Sequence, residues 1–203
     1  MRSWINQLLA ITAMNLRNLP QRLGTSLVAI VGIGGVVAVL VSLLSMAQGF
    51  RAALELSGSD DVAIVLRGGA GDELSSSFDR EQVSVIVSAP GIKRDTHGAI
   101  ASPEFYTIVD LPMRSTGTAA NVPFRGVTDR ASDVRNGFRI IAGRMFEPGK
   151  DEVIVGRGAF AQFGNVDLGR KVTWGSHEWR VVGVFECGGS VSESEVWPFV
   201  NVH

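Results

Sequence analysis

The chain has 203 residues, with 19 Lys+Arg against 20 Asp+Glu and a formal net charge of -1. That near-balance removes the clustered basic excess that phosphate backbones require, so no nucleic-acid partner is expected. Cysteine occurs once, at Cys187, which excludes an intramolecular disulfide framework and Cys-rich metal sites. The charges are unevenly placed. All 20 acidic residues lie at or after Glu55, and no charged residue occurs from Leu23 to Phe50. A membrane segment followed by a water-facing domain is the expected organisation.

Residues 1–21 form the first expected unit. Trp4, Ile5, Leu8, Leu9, Thr12, Leu16 and Leu19 recur at helical spacing, with Arg2, Asn15, Arg17 and Asn18 among them. Such a helix suits the membrane interface, where Trp and Arg sit at the edges of an apolar stripe. Pro20 then marks an elbow, because proline disfavours helix at the residue before it.

Residues 22–50 are expected to cross the membrane, since about 20 apolar residues already span a hydrocarbon core. The centre is glycine-rich and β-branched, a poor helix in water. In lipid, however, every backbone group must be bonded internally, so helix wins. Ser45-Met46-Ala47 offers a signal-cleavage alternative, but the apolar run is far longer than a signal peptide's core. Retention as an anchor is the better reading. Arg17 and Arg22 precede the span, and Glu55, Asp60 and Asp61 follow it. The positive-inside rule therefore puts the N-terminus in the cytoplasm and the main domain outside the inner (cell) membrane. Gly34, Ala38 and Ser42, at i, i+4 and i+8, form a small-residue face for packing against another helix.

Residues 51–203 are read as one extracytoplasmic α+β domain in two lobes. Val62–Leu66 is expected to be a buried strand, followed by a flexible Arg67–Gly71 break. Asp79 with Gln82 resembles a capping box opening a helix through Val83, Ile86 and Val87, which Pro90-Gly91 ends. Strands are expected at Phe105–Val109, Pro123–Val127, Phe138–Ile141 and Glu152–Val155, and a short helix at Arg157–Phe163. Lys171–Trp174 and Glu178–Phe185 flank Gly175-Ser176 as a hairpin.

Two patterns invite chemistry. Gly156-Arg157-Gly158-Ala159-Phe160-Ala161 after a strand matches the dinucleotide fingerprint. The helix is too short, the strand that follows is a hairpin partner, and the distal acidic residue is missing, so no NAD or FAD is expected. Gly149-Lys150 lacks the glycine spacing of a phosphate loop, so ATP is not expected either. Ser190, Ser192, Glu193, Ser194 and Glu195 read as a solvated loop rather than a nucleophile with acids. His97, His177 and His203 are scattered, so neither a catalytic centre nor a closed zinc site is expected. No enzyme activity and no cofactor are anticipated.

The run Met14–Leu23, the Gly-rich span, and the exit Ala47-Gln48-Gly49-Phe50-Arg51 together resemble the start of MacB/FtsX-type ABC transporter permeases, which include MacB, LolC/LolE and DevC-like proteins. Phe124–Val127, Ile141–Phe146, Glu152–Arg157, Trp179–Phe185 and Glu193–Trp197 follow in the order of that family's periplasmic core domain. The resemblance covers roughly residues 13–197. It implies a permease of four membrane helices, with this domain between the first two, working as a dimer with a cytoplasmic ATPase. Membrane lipid, that ABC ATPase, further permease helices or a second copy, and a periplasmic adaptor are the implied partners. Through His203 the sequence reaches only the first span and outer domain, as a fragment, a truncated gene product or a degenerate paralogue would. The alternative is a single-pass anchored interaction module with no transport role.

Overall fold

The structure is a computed structural model that describes residues 2–18 and 23–201. Two compact units divide the chain at Arg51/Ala52. In the first, α1 (Arg2–Asn18) is the expected amphipathic helix, with Trp4, Ile5, Leu8 and Leu9 exposed. The Pro20 elbow and Arg22 lie outside the described residues. The second helix, α2 (Leu23–Ser57), has 35 residues, which at ~1.5 Å per residue is ~50 Å long. Its stretch Ser26–Glu55, whose most apolar 18 residues have a mean hydropathy of 2.8 and no buried side chain, is long and apolar enough to cross a membrane. Val, Ile and Gly dominate it, yet it is helical, because only helix bonds its own backbone throughout.

In the second unit, α3 (Arg80–Ser88) begins at the expected capping box. The Asp79 carboxylate accepts from the Gln82 N–H at 2.8 Å, and the Gln82 side chain accepts from the Asp79 N–H at 3.1 Å. A two-stranded ribbon follows, β1 (Arg94–Asp95) and β2 (Gly98–Ala99). The remaining strands are β3 (Phe105–Pro112), β4 (Ala119–Gly126), β5 (Phe138–Gly143), β6 (Glu152–Gly156), β7 (Lys171–Trp174), β8 (His177–Cys187) and β9 (Val196–Pro198). They build one seven-stranded mixed sheet in the order β3-β4-β9-β6-β8-β5, with β7 also on β8. Residues 52–203, expected in two lobes, form one compact unit with a large sheet and a small ribbon.

Strand β6 is the axis of the core. All five of its residues are buried, because both sheet faces are covered. Val153 and Val155 point to one cluster, with Leu111, Phe124, Val172 and Val181, while Ile154 points to the other, with Phe146, Phe185 and Trp197. The alternation follows from the period-two geometry of a strand. Trp197 is fully buried, stacked on Phe138 at 5.6 Å and tilted on Phe185 at 4.2 Å between centroids.

Two expectations need correction. Val62–Leu66 is not a buried strand: beyond a single bridge from Ser59 to Val62 it has no ladder, and Ile64 is 73% exposed. Its β-branched composition satisfies strand propensity, but among the described residues no neighbouring strand supplies the pairing that propensity needs. The second concerns the segment after β6. The strand that follows, β7, is a hairpin partner of β8 as expected, yet β8 itself runs parallel to β6 and pairs with it. A crossover is therefore present, formed by the short helix α4 (Arg157–Gln162) and the β7 hairpin arm.

Glycine at 156 is required by packing. A Cβ there would lie 2.2 Å from the Glu193 carbonyl oxygen and 2.4 Å from its carbon, both backbone atoms with no freedom to swing aside. Gly156→Ala should therefore lower stability by about 2–3 kcal/mol, the cost of overpacking a tight interior. A thermal melt of the full chain in detergent should fall by roughly 5–10 °C. Gly68→Ala, which meets nothing within 4 Å, should melt with the parent. Equal melts for both variants would contradict the packing assignment.

Candidate functional site: a buried ionic cluster and a small-residue helix face

Strand β4 carries Arg125 into a partly buried position, and carboxylates from three other segments converge on it. Arg125 Nε donates to Glu195 Oε2 at 2.9 Å and Nη2 donates to Oε1 at 3.1 Å. Nη2 also donates to Glu73 Oε2 at 2.7 Å, and Nη1 to Glu73 Oε1 at 3.2 Å and Glu104 Oε2 at 3.1 Å. Arg135, after the 3-10 turn Asp129–Ser132, grips Glu104 from the other side with contacts of 2.6 and 2.7 Å. The guanidinium of Arg125 lies 4.5 Å from the Tyr106 ring centre, and that of Arg135 lies 4.4 Å from the Trp197 ring. Trp197 Nε1 donates to Glu195 Oε2 at 2.7 Å, which fixes the carboxylate from below.

Electrostatics follow this geometry. Burial disfavours the charged form of Glu104, but the Arg135 hydrogen bonds and the two guanidinium charges outweigh it, so its carboxyl titrates below the usual range. Burial likewise works against the charge on Arg125, and the surrounding carboxylates overcome it and raise its pKa. Glu104 and Arg125 therefore both favour their charged forms. Planar guanidinium groups engaged by several carboxylates are fixed anchors rather than proton donors.

A second buried acid, Glu193, sits in the 3-10 turn Val191–Ser194. Its Oε1 accepts from the Cys187 N–H at 2.9 Å and the Gly189 N–H at 2.8 Å, and Arg157 lies 3.1 Å from Oε2. Burial raises its pKa, and the two backbone donors with Arg157 lower it further than burial raises it. The expectation of a solvated Ser190–Glu195 loop is thus corrected in part: Ser190, Glu193 and Glu195 are buried, while Ser192 is half-buried and Ser194 exposed. Backbone N–H groups left open by the turn after β8 need acceptors, and Glu193 supplies them.

The same turn explains the dinucleotide-like pattern. Gly156 and Gly158 receive the close approach of the Glu193 backbone, and Gly156 N–H donates to the Glu195 carbonyl at 2.9 Å. Glycines that would cradle a pyrophosphate in that fingerprint here cradle the protein's own chain. Among the described residues no group of three His, Cys, Asp or Glu side chains has metal-binding geometry. Two shallow grooves occur, one of about 240 Å³ beside Arg170, Lys171 and Trp174, the other of about 120 Å³ beside Val62, Arg135 and Ser190.

Gly34, Ala38 and Ser42 fall along one exposed line of α2. Apart from its chain neighbours and the helix's own backbone, no heavy atom of the described residues lies within 4 Å of a Cβ placed on Gly34. The Ser42 hydroxyl donates to the Ala38 carbonyl at 2.8 Å, so its polarity is satisfied within the helix. Sequence patterning missed the Arg125 cluster, because its members are 52, 21 and 70 residues from Arg125.

The family model described as MacB-like periplasmic core domain matches residues 26–198, from inside the apolar helix to the last strand. The chain belongs to the MacB-like periplasmic core domain family. Among solved structures, the extracellular domain of the noncanonic ABC-type transporter YknZ from Gram-positive bacteria is 21% identical, covering 59% of this chain and 61% of that one, with a TM-score of 0.40. The periplasmic region of MacB from Actinobacillus actinomycetemcomitans is 16% identical over 65% of this chain and 61% of that one, with a TM-score of 0.41. The chain thus spans about three fifths of the length of these solved chains. No curated protein matches it. The mixed α+β sheet behind an apolar helix is the architecture expected of a MacB-like domain.

Acid sensitivity of this MacB-like domain centres on β6. Arg144 holds Glu152 with contacts of 2.7 and 2.5 Å and the Glu147 N–H adds a 3.0 Å bond, which together depress the Glu152 pKa from 4.5 to about 2. A depressed carboxylate stabilises the fold above its unfolded pKa and loses that contribution as pH falls through its folded one. Glu152→Gln should therefore be less stable than the parent at pH 7, with the gap closing between pH 4.5 and about 2. Urea midpoints measured across that range check this; a gap that stays constant would show the pair to be silent.

Proposed function

We propose that this chain supplies the first membrane helix and the extracytoplasmic domain of a permease subunit in an ABC-type export or mechanotransmission machine. A separate cytoplasmic ATPase and further permease helices, or a second copy, complete that machine, with a periplasmic adaptor as an outer contact. The observation carrying this reading is the continuity of the family match, from Ser26 within the apolar helix through Pro198. Span and domain match as one unit, as they would in a protein whose outer domain is worked by its membrane helix. Arg17 and Arg22 before the span and acids after it favour a cytoplasmic N-terminus at the inner membrane.

Within this reading the Gly34, Ala38 and Ser42 line is where another helix approaches. Lipid tails are as apolar as the helix, so association depends on close van der Waals contact, which small residues permit. No residue of the outer domain is assigned a catalytic role, and the ionic cluster acts as structure.

A reporter that is active only after export, fused after His203, should be active in cells; activity confined to a cytoplasmic reporter would overturn the topology. Gly34→Leu and Ala38→Leu keep the span apolar, so membrane insertion should survive, while cross-linking to the ATPase-associated permease helices or to a second copy should fall several-fold. Val37→Leu, off that line, should leave it unchanged. Identical behaviour of all three variants would favour the anchored interaction module instead.

A further inference from the structure

We propose that Glu73 is a releasable clasp, tying the segment that follows the membrane helix to the seven-stranded sheet at Arg125. The proposal deepens the mechanical reading above, because the clasp is where displacement of that segment enters the sheet.

Three observations carry it. The first is that Glu73 is presented by a loop closed on itself. Arg67 N–H donates to Ser76 Oγ at 2.9 Å, Ala70 N–H to the Arg67 carbonyl at 2.9 Å, and Ser75 N–H to Asp72 Oδ1 at 2.8 Å. Chain ends brought together in this way, with internal hydrogen bonds, make a compact surface loop. Glu73 then reaches out of it to Arg125 with both carboxylate oxygens, at 2.7 and 3.2 Å.

The second is a charge balance that leaves Glu73 as the surplus member. The sheet side already pairs two guanidinium groups, Arg125 and Arg135, with two carboxylates, Glu104 and Glu195. Removing one partner of a buried pair is ordinarily costly because an uncompensated charge stays behind. Here Arg125 keeps Glu104 and Glu195 when Glu73 leaves, and the departing carboxylate finds water close by. Its side chain is 29% exposed, against 12% for Arg125, 13% for Glu104, 14% for Arg135 and 6% for Glu195. The geometry therefore separates a fixed four-member core from one detachable arm.

The third is how lightly the neighbouring chain is held. Val62, Ala63, Ile64, Val65 and Leu66 are all exposed, and Val62 and Ile64 border the groove of about 120 Å³ shared with Arg135 and Ser190. Segments with exposed backbone and few buried apolar contacts open at low free energy, independently of the core. With the clasp closed, residues 58–78 are held against the sheet; with it open, they follow the helix while the sheet persists.

The test uses the full chain in detergent micelles, with trypsin cleavage at exposed Arg67 and hydrogen exchange of residues 62–78 as local readouts and the thermal melt as the global one. Glu73→Gln should speed cleavage and exchange roughly tenfold, the size expected for a lost charged hydrogen bond. Its melting temperature should stay within a degree or two of the parent, and Glu73→Asp should recover part of the protection. Glu178→Gln, which breaks the exposed pair with Lys171, should leave residues 62–78 unchanged. Unaltered cleavage at Arg67 in Glu73→Gln would overturn the proposal. So would a melt that falls in proportion to the lost protection, since Glu73 would then belong to the core. These readouts require no ATPase, so a failed clasp is distinguishable from a failed transport reading, which the topology and cross-linking experiments address.

Discussion

A guanidinium taken partly out of water must find carboxylates, and the placement of Arg125 follows from that constraint. Its side chain is 12% exposed, and it gathers Glu73, Glu104 and Glu195 from three separate stretches of chain. Glu104 in turn fixes Arg135, whose guanidinium covers the Trp197 ring, and Glu195 fixes the Trp197 indole N–H. The polar cluster and the aromatic core of Trp197, Phe185 and Phe138 are thus two sides of one arrangement. A buried pair of this kind contributes little net stability over an apolar replacement, but breaking it is costly. Its contribution is to specify which segments meet.

The axis at β6 meets a different constraint. Its neighbours β8 and β9 press from both sides, and the turn Val191–Ser194 folds onto its end at Gly156. Glu193 makes that approach affordable to the backbone by accepting from Cys187 and Gly189. The glycines that look like a nucleotide fingerprint are therefore explained by internal packing, and the buried acids nearby by hydrogen-bond demand.

The apolar helix has a small-residue line with its one hydroxyl satisfied internally. The outer domain has a seven-stranded sheet with an ionic cluster gathered at Arg125. A lightly held segment joins the two, with a carboxylate at its far end.

The sequence by itself determined the apolar span, the capping box at Asp79, the hairpin at Gly175, the short helix after β6 and the places of the strands from β3 to β8, though β3 and β4 run longer than expected. These are local signals: hydrophobic run length, cap spacing and turn chemistry act within a few residues. The family was legible as well, through the order of Phe124–Val127, Ile141–Phe146 and Glu152–Arg157. Tertiary structure alone decided the rest. Val62–Leu66 has the composition of a strand but no ladder, because pairing belongs to the neighbour and not to the segment. Glu193 and Glu195 read as solvated, yet they are buried, because their partners Cys187, Arg157 and Arg125 are brought to them only by the fold. The parallel pairing of β6 and β8 and the convergence on Arg125 join residues far apart in sequence, and no local pattern encodes which distant charge a buried guanidinium will meet.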